Sequence, residues 1–429
     1  MDHPQSPVTL NIVVVGAGLS GLAAAISCTL SGHKVSVFES AKELQKLGAG
    51  LQITPNSSRL LRRWNLSETL WESTAEPTYL AVHRYSDGRV LALEEDFNKK
   101  MWSRYGSPFI GVNRRDLHLA LANRATELGV KLELGQRVTD IDFSTPSIET
   151  AEGVKVEADL IVAADGIWST CRNLVLDIKD FPRPYGNFAY RIVLTIDEID
   201  DHELREMVQK PSVNFWIGPK SHVVAYSVRA GTMYNIVLTV PDDLPEVVRR
   251  QAGPLEEMKV LFEGWDPILS RFVRLAKSVH KWKPMHRREL PAWVNDKSNC
   301  VFVGDSCHPM LPYLAQGANS AIEDGAVVGL LLGSIQSRDH VPKALGIYYK
   351  LRKVRSDVIV KETLKQRDSF HMRNGSEQEA RDDLFLSQLG NEVKGPFPSR
   401  WTCPQVQPWL YGYDAYQEVR EAVSTESFE

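Results

Sequence analysis

Apolar residues fall in short, dense runs at widely separated places along the chain. The first, LNIVVV at 10–15, is cut off by Gly16 and followed by GAGLSG. An Ala-rich stretch closed by Gly32 comes next, then a second run, HKVSVFES. This order predicts strand, Gly-rich turn, helix, strand: a βαβ unit. ADLIVAADG at 158–166 and CVFVGD at 300–305 repeat the strand pattern, and each ends in a Gly/Asp turn. Such runs suit strands of a parallel sheet buried on both faces. Ligands of these folds bind beyond the C-terminal ends of the strands.

Residues 180–285 have another texture. FAYRIVLTI, VNFWIG, HVVAYSVRAG and MYNIVLTV alternate short apolar segments with polar turns. They predict an antiparallel sheet with one acidic helical insertion near 198–209. After 318 the pattern turns helical, with a long amphipathic stretch from 342 to about 370. The tail from 372 reads as polar and irregular, with Trp401, Trp409, Tyr411 and Tyr413 available to dock it. The predicted fold is therefore α/β. A Rossmann-like nucleotide domain (8–75, 106–179 and 286–371, the last part including the long C-terminal helical segment) is interrupted by an antiparallel-sheet substrate domain (76–105 and 180–285), and a C-terminal tail (372–429) follows.

Composition narrows the class. The chain has 429 residues, too many for one ordinary core. A net charge of −4 argues against a nucleic-acid partner. No run reaches the ~18 apolar residues of a membrane span. The polar start, Met1 to Pro7, leads into a strand rather than a signal peptide, so a cytoplasmic location is expected. Cys28, Cys171, Cys300, Cys307 and Cys403 are scattered and odd in number, which predicts buried thiols rather than disulfides or a metal site.

Gly16-Ala17-Gly18-Leu19-Ser20-Gly21 lies between a predicted strand and a predicted helix. Gly16 permits the tight turn, Gly18 lets backbone approach a pyrophosphate, and Gly21 allows close helix–strand packing. The helix N-terminus adds N–H groups and positive dipole. Glu39, at the end of the second strand, suits ribose hydroxyls and would repel a 2′-phosphate. The dinucleotide is thus FAD or NAD. The later DG and GD strand ends favour FAD, because an elongated ligand crossing the sheet explains them and an NAD-dependent dehydrogenase does not.

Taken together, the motifs resemble the single-component FAD-dependent aromatic hydroxylases, in their salicylate-hydroxylase-like branch. Asp165-Gly166-Ile167-Trp168-Ser169-Thr170-Cys171-Arg172 fits the family's DGxxSxxR. Gly304-Asp305-Ser306-Cys307-His308-Pro309, followed by Leu311-Pro312-Tyr313-Leu314-Ala315-Gln316-Gly317-Ala318-Asn319, is similar to its GD motif and flavin-side segment. Arg114 in NRRDL and Gly48-Ala49-Gly50 also fit. Ala318 departs from the GxG or GQG often found there, as the salicylate-like branch does. The resemblance spans residues 10 to 370.

The resemblance implies non-covalent FAD held by Gly16, Gly18, Gly21, Glu39, Gly50, Arg114, Asp165, Gly166, Arg172, Gly304, Asp305, Pro312, Gly317, Ala318 and Asn319. It implies NAD(P)H as a co-substrate without a domain of its own, with Arg172 assisting it, and O2 as the oxidant. A flavin C4a-hydroperoxide then hydroxylates a small phenol. Arg191, a cation in an apolar strand, is the candidate for holding the phenolate. Tyr226 and His222 share its region and face one side of their strand, as proton relay or substrate contact. The same chemistry could instead give dearomatisation, oxidative decarboxylation or epoxidation, and a flavin-fold binding protein without catalysis is the reading from another class. Family members are often homodimers; no residue here encodes that choice.

Overall fold

The computed structural model describes residues 3–44, 48–242, 250–426 and 428, so Met1 and Asp2 of the N-terminal segment lie outside the described residues. A five-stranded sheet forms its centre, in the order Cys300–Phe302, Leu160–Ala163, Asn11–Val15, Lys34–Glu39, Lys131–Leu134. Every pair in it is parallel. The register sets Val15 beside Ala163, and Ala163 beside Phe302. The Gly-rich, DG and GD turns, far apart in sequence, therefore leave the same end of the sheet side by side.

Two helices run in parallel against one another, Leu19–Leu30 and Gln316–Gly333. Glycines recur every fourth residue along the second. A Cβ on Gly325 would lie 2.4 Å from the Ala24 nitrogen, and one on Gly329 2.2 Å from Ser27 Oγ. Ser27 Oγ donates to the Ala326 carbonyl (3.0 Å) and Ser31 Oγ to that of Gly329 (2.7 Å). Backbone packs on backbone, and both helix N-termini face the same way.

The second sheet has eight strands, ordered Arg250–Ala252, His280–Trp282, Asn187–Thr195, Met233–Pro241, Ser221–Val228, Ser212–Gly218, Tyr79–Arg84, Val90–Glu95. It is antiparallel except where Ser212–Gly218 meets Tyr79–Arg84. That parallel pair departs from the sequence expectation. The 79–95 hairpin arrives from an earlier segment of the chain, so no short turn dictates its direction. The acidic insertion is a helix, His202–Gln209.

The two faces of this sheet differ by residue parity. Phe188, Tyr190, Ile192, Leu194, Tyr234, Ile236 and Leu238 pack together with residues of the helices His202–Gln209, Leu255–Leu261 and Pro267–Leu275. The opposite face carries Arg191, Asn235, Thr239, His222 and Tyr226 and turns toward the nucleotide domain.

The tail corrects a reading from sequence. It carries three helices, Ser376–Ser387, Gln407–Tyr411 and Ala415–Thr425, with irregular chain between them. Phe385, Phe397, Trp401, Leu410 and Tyr411 are buried in one cluster with Phe215, Leu314 and Phe370. Helices this short gain most of their stability from docking, so local sequence pattern underreports them. Trp409 remains exposed, above the Arg355 guanidinium.

Candidate active site

The Gly-rich turn closes on itself through backbone and one carboxylate. Gly16 takes φ +102°, and a Cβ on Gly21 would lie 2.0 Å from the Gly16 oxygen. Glu39 accepts hydrogen bonds from the Ala17 N–H (2.8 Å) and the Ala41 N–H (2.8 Å). Beside the turn lies a cleft of about 170 Å³, lined by Gly18, Leu19, Glu39, Arg114 and His118 among others. A Cβ on Gly18 would meet nothing within 4 Å, as would one on Gly317 or Gly166. Open space at these glycines, in turns otherwise tightly packed, fits a ligand that lies against the backbone.

His118 was not singled out from sequence. It donates from Nε2 to the Ala17 carbonyl at 2.6 Å. It stands one helical turn beyond Arg114, on the helix Arg114–Glu127, so the i, i+4 spacing could have revealed it.

Asp305 is the one exposed residue in the buried run Val301–His308. The protein packed around it raises its pKa, with His308 and Arg114 pulling the other way. The turn that presents it is fixed from behind. Asp324 accepts the Gly304 N–H (2.8 Å), His308 Nε2 (2.5 Å) and Arg352 Nε (2.7 Å). Glu323 holds Arg352 (2.7 Å), Arg355 (2.8 Å) and Asn56 Nδ2 (2.6 Å). These carboxylates are fully buried and satisfied by charge-assisted bonds.

Asp165 Oδ2 accepts the N–H groups of Thr170 (2.7 Å) and Cys171 (3.0 Å), while burial raises its pKa. Its Oδ1 is buried without a partner among the described residues, an acceptor that a ribose or ribityl hydroxyl would satisfy. Arg172 is placed differently. It is 1% exposed and holds Asp180 at 2.9 Å and the Arg288 carbonyl at 2.5 Å. The structure thus puts its guanidinium inside the protein rather than on the cleft surface.

The helix Gln316–Gly333 begins after Ala315 in the left-handed region (φ 52°), with no side-chain cap. Its first N–H groups are left for a ligand, and the helix dipole favours negative charge there. Pro312 is exposed just before it. Asn319 is turned inward. Its Oδ1 accepts the Thr54 N–H (3.0 Å) and its Nδ2 donates to the Gln52 carbonyl (3.1 Å). The same short strand, Gly50–Ile53, touches the large sheet on its other side. Gly50 N–H donates to Asn235 Oδ1 at 3.0 Å, and a Cβ on Gly50 would lie 2.8 Å from Tyr226 Cε2. Gly50 is therefore one point where the nucleotide-binding part meets the large sheet, and one strand separates the helix N-terminus from the inner sheet face.

On that face Arg191 is half-buried, its guanidinium 4.5 Å above the Trp282 ring. Its register neighbours across the sheet are Val237 and Val224. Tyr226 and His222 flank Val224, two residues to either side. Two strand spacings, about 10 Å, separate Arg191 from their strand. Burial pushes the Tyr226 phenol up to about 12 against the pull of the Arg191 charge. Burial, and after it His371, holds His222 well below the usual histidine range. Tyr313 lies tilted against His222 (centroids 5.4 Å) and donates to Asn187 Oδ1 at 3.3 Å.

A family model for the FAD binding domain matches residues 9–363. The FAD-dependent monooxygenase OpS4 of Beauveria bassiana (strain ARSEF 2860) is 47% identical, over 97% of this chain and 97% of its own. The 3-hydroxybenzoate 6-hydroxylase of Polaromonas naphthalenivorans (strain CJ2) is 29% identical, over 96% of this chain and 98% of its own. A solved salicylate hydroxylase substrate complex shares the fold, with a TM-score of 0.78 at 22% identity over 97% and 98% of the two chains. With its dinucleotide cleft and its family match in agreement, the chain belongs to the FAD binding domain family and is an FAD-dependent monooxygenase.

Proposed function

We propose that this monooxygenase hydroxylates a phenolic aromatic, a salicylate-like or polyketide-type phenol, using NAD(P)H and O2. The observation that carries the reading is Arg191: a guanidinium half-buried among the valines of the inner sheet face, fixed over Trp282, on the same face as Asn235 and Tyr226, which meet the strand beside the uncapped helix. A relative named for action on 3-hydroxybenzoate supports the substrate class.

A phenol ionises near pH ~10 in water. A fixed cation next to its oxygen lowers that value and enriches the ring in electrons. Trp282 below the guanidinium limits the positions Arg191 can take, so the ring is oriented as well as charged. His222, held neutral by burial, has an acceptor nitrogen to offer the phenolic proton. Tyr313 and the buried Trp401 behind it, which donates to the Tyr313 carbonyl (3.1 Å), exclude water from that side. Bound FAD would supply the hydride acceptor and the activated oxygen.

Absorption bands near ~370 and ~450 nm, released on denaturation, will show the non-covalent flavin. NAD(P)H oxidation is then followed with and without a panel of phenols and salicylates. Stimulation by a phenol, with hydroxylated product, is expected. Arg191→Met should cut kcat/KM for that phenol by about 10- to 100-fold, the worth of one charge-assisted hydrogen bond. Stimulation by no phenol, or a variant as active as the parent, would overturn the reading.

A further inference from the structure

We propose that His222 and His371 form a two-histidine relay that carries the phenolic proton from the substrate face to solvent; this rests on the hydroxylase reading above. His222 is 5% exposed on the inner sheet face. His371 ends the long helix Val341–Phe370 and is half-buried. His222 Nδ1 lies 2.7 Å from His371 Nε2. The two rings thus run from the buried inner sheet face to the half-buried end of the long helix in one step.

The pair is held from both sides. The His371 N–H donates to the Arg367 carbonyl (2.9 Å), and the His371 carbonyl accepts the Lys220 N–H (3.0 Å) from the turn that opens the His222 strand. Tyr313 packs on both rings, at centroid distances of 5.4 and 5.6 Å, and Phe370 on His222 at 6.2 Å. Neither His222 Nε2 nor His371 Nδ1 has a hydrogen-bond partner among the described residues, and neither is a sealed-off buried atom. The two nitrogens at the ends of the relay are therefore free, and the two in its middle are joined.

The groups around the pair keep a proton moving. Arg367 and Asp368 face it from the long helix, Tyr313 from its turn, and Tyr185 from beyond Arg367, whose N–H it accepts at 2.9 Å. Burial first, then Arg367, brings His371 down to about 4. A proton arriving on either ring is not retained at neutral pH.

The step balances as follows. The phenol O–H bond breaks and its proton binds His222 Nε2. The His222 Nδ1–H bond breaks and that proton binds His371 Nε2. The His371 Nδ1–H proton leaves to water, and the phenolate stays on the inner sheet face. No electrons are exchanged. The reverse transfer protonates the product oxygen and restores both tautomers. His371 acts through His222 and is a positioning residue of the reaction.

Two measurements test the relay on the holoenzyme. The first compares His371→Ala with the parent, using the phenol that best stimulates NADH oxidation. At pH 7 kcat should fall about tenfold or more, with KM little changed. The deficit should shrink in alkali, where the phenol ionises unaided, and added imidazole should restore the rate. An unchanged kcat, or an equal loss at every pH that imidazole does not restore, overturns the relay. The second reads the resting enzyme by 15N NMR of labelled histidines, with no phenol present. Two neutral rings sharing one N–H···N proton across about pH 5 to 8 are expected. Either ring titrating near its ordinary value overturns the relay. An intact pair in an enzyme that no phenol stimulates sinks the hydroxylase reading instead.

Discussion

Asp324 shows how much one residue can organise. Its two oxygens take the Gly304 N–H, His308 and Arg352 at 2.8, 2.5 and 2.7 Å, and so fix the turn that presents Asp305. Burial alone would raise its pKa; His308 and Arg352 outweigh burial and hold it at about 2. A depressed carboxylate stabilises the fold above its unfolded pKa near ~4, and that contribution is lost as pH falls from there toward 2. Asp324→Asn should cost about 3 kcal/mol, since it breaks a buried charged network. Denaturant melts at pH 6 and pH 3 check both points: the parent should lose more on acidification than the variant. Equal losses would mean Asp324 is not the titrating group. The fingerprint glycines and Glu39 were legible in sequence because their spacing along one strand–turn–helix unit fixes their relation. Asp324 and Arg352 were not, because only the packing of two helices brings them together. The interior position of Arg172, bonded to Asp180, was hidden for the same reason.

Among elements, the parallel pair Leu19–Leu30 and Gln316–Gly333 matters most. Aligning two helix dipoles side by side is electrostatically costly unless something negative lies at their common positive end. The phosphates and reduced ring of FAD would meet that condition. Contact through Gly325, Gly329 and Gly333 keeps the two ends close. Gly329→Val would set side-chain carbon on the Ser27 backbone, since even a Cβ would lie 2.5 Å from its carbonyl carbon. We expect about 1–3 kcal/mol of destabilisation together with weaker FAD retention. Thermal melts with and without added FAD measure both, and a variant that melts and binds like the parent would show that the helices can separate. The helix itself was plain from the sequence. The four-residue glycine spacing was present too, but spacing names a close contact without naming the partner. The short tail helices were missed because docking, rather than local propensity, sustains them.

In the molecule as a whole, the tail is a clamp. Trp401 is 2% exposed and lies 5.2 Å from Phe215 of the large sheet, centroid to centroid. Arg355 of the long helix donates to the carbonyls of Trp409 and Leu410 (3.3 and 2.9 Å). The tail thereby ties both domains to the helix that ends in His371. Trp401→Ala should cost about 3–5 kcal/mol and loosen the wall behind Tyr313. Limited proteolysis would then cut the tail earlier than in the parent; an unchanged digestion pattern would argue against the clamp. The division into a nucleotide domain and an inserted sheet domain was readable from the change of hydrophobic period. The clamp was not, since its contacts join segments remote in the chain.

The parallel sheet has a consequence for the making of this protein. Its middle strand is synthesised near the start, at Asn11, but the edge strand that covers Leu160–Ala163 ends only at Phe302. Counted from Ala163, the wait at ribosomal speed is on the order of ten seconds. During that time the nascent chain carries an apolar strand edge, Leu160–Ala163, with no neighbour on one side, a natural ligand for chaperones and a hazard at high expression. A lower expression level, which dilutes these open edges, should therefore raise the yield of folded enzyme more than added cofactor does.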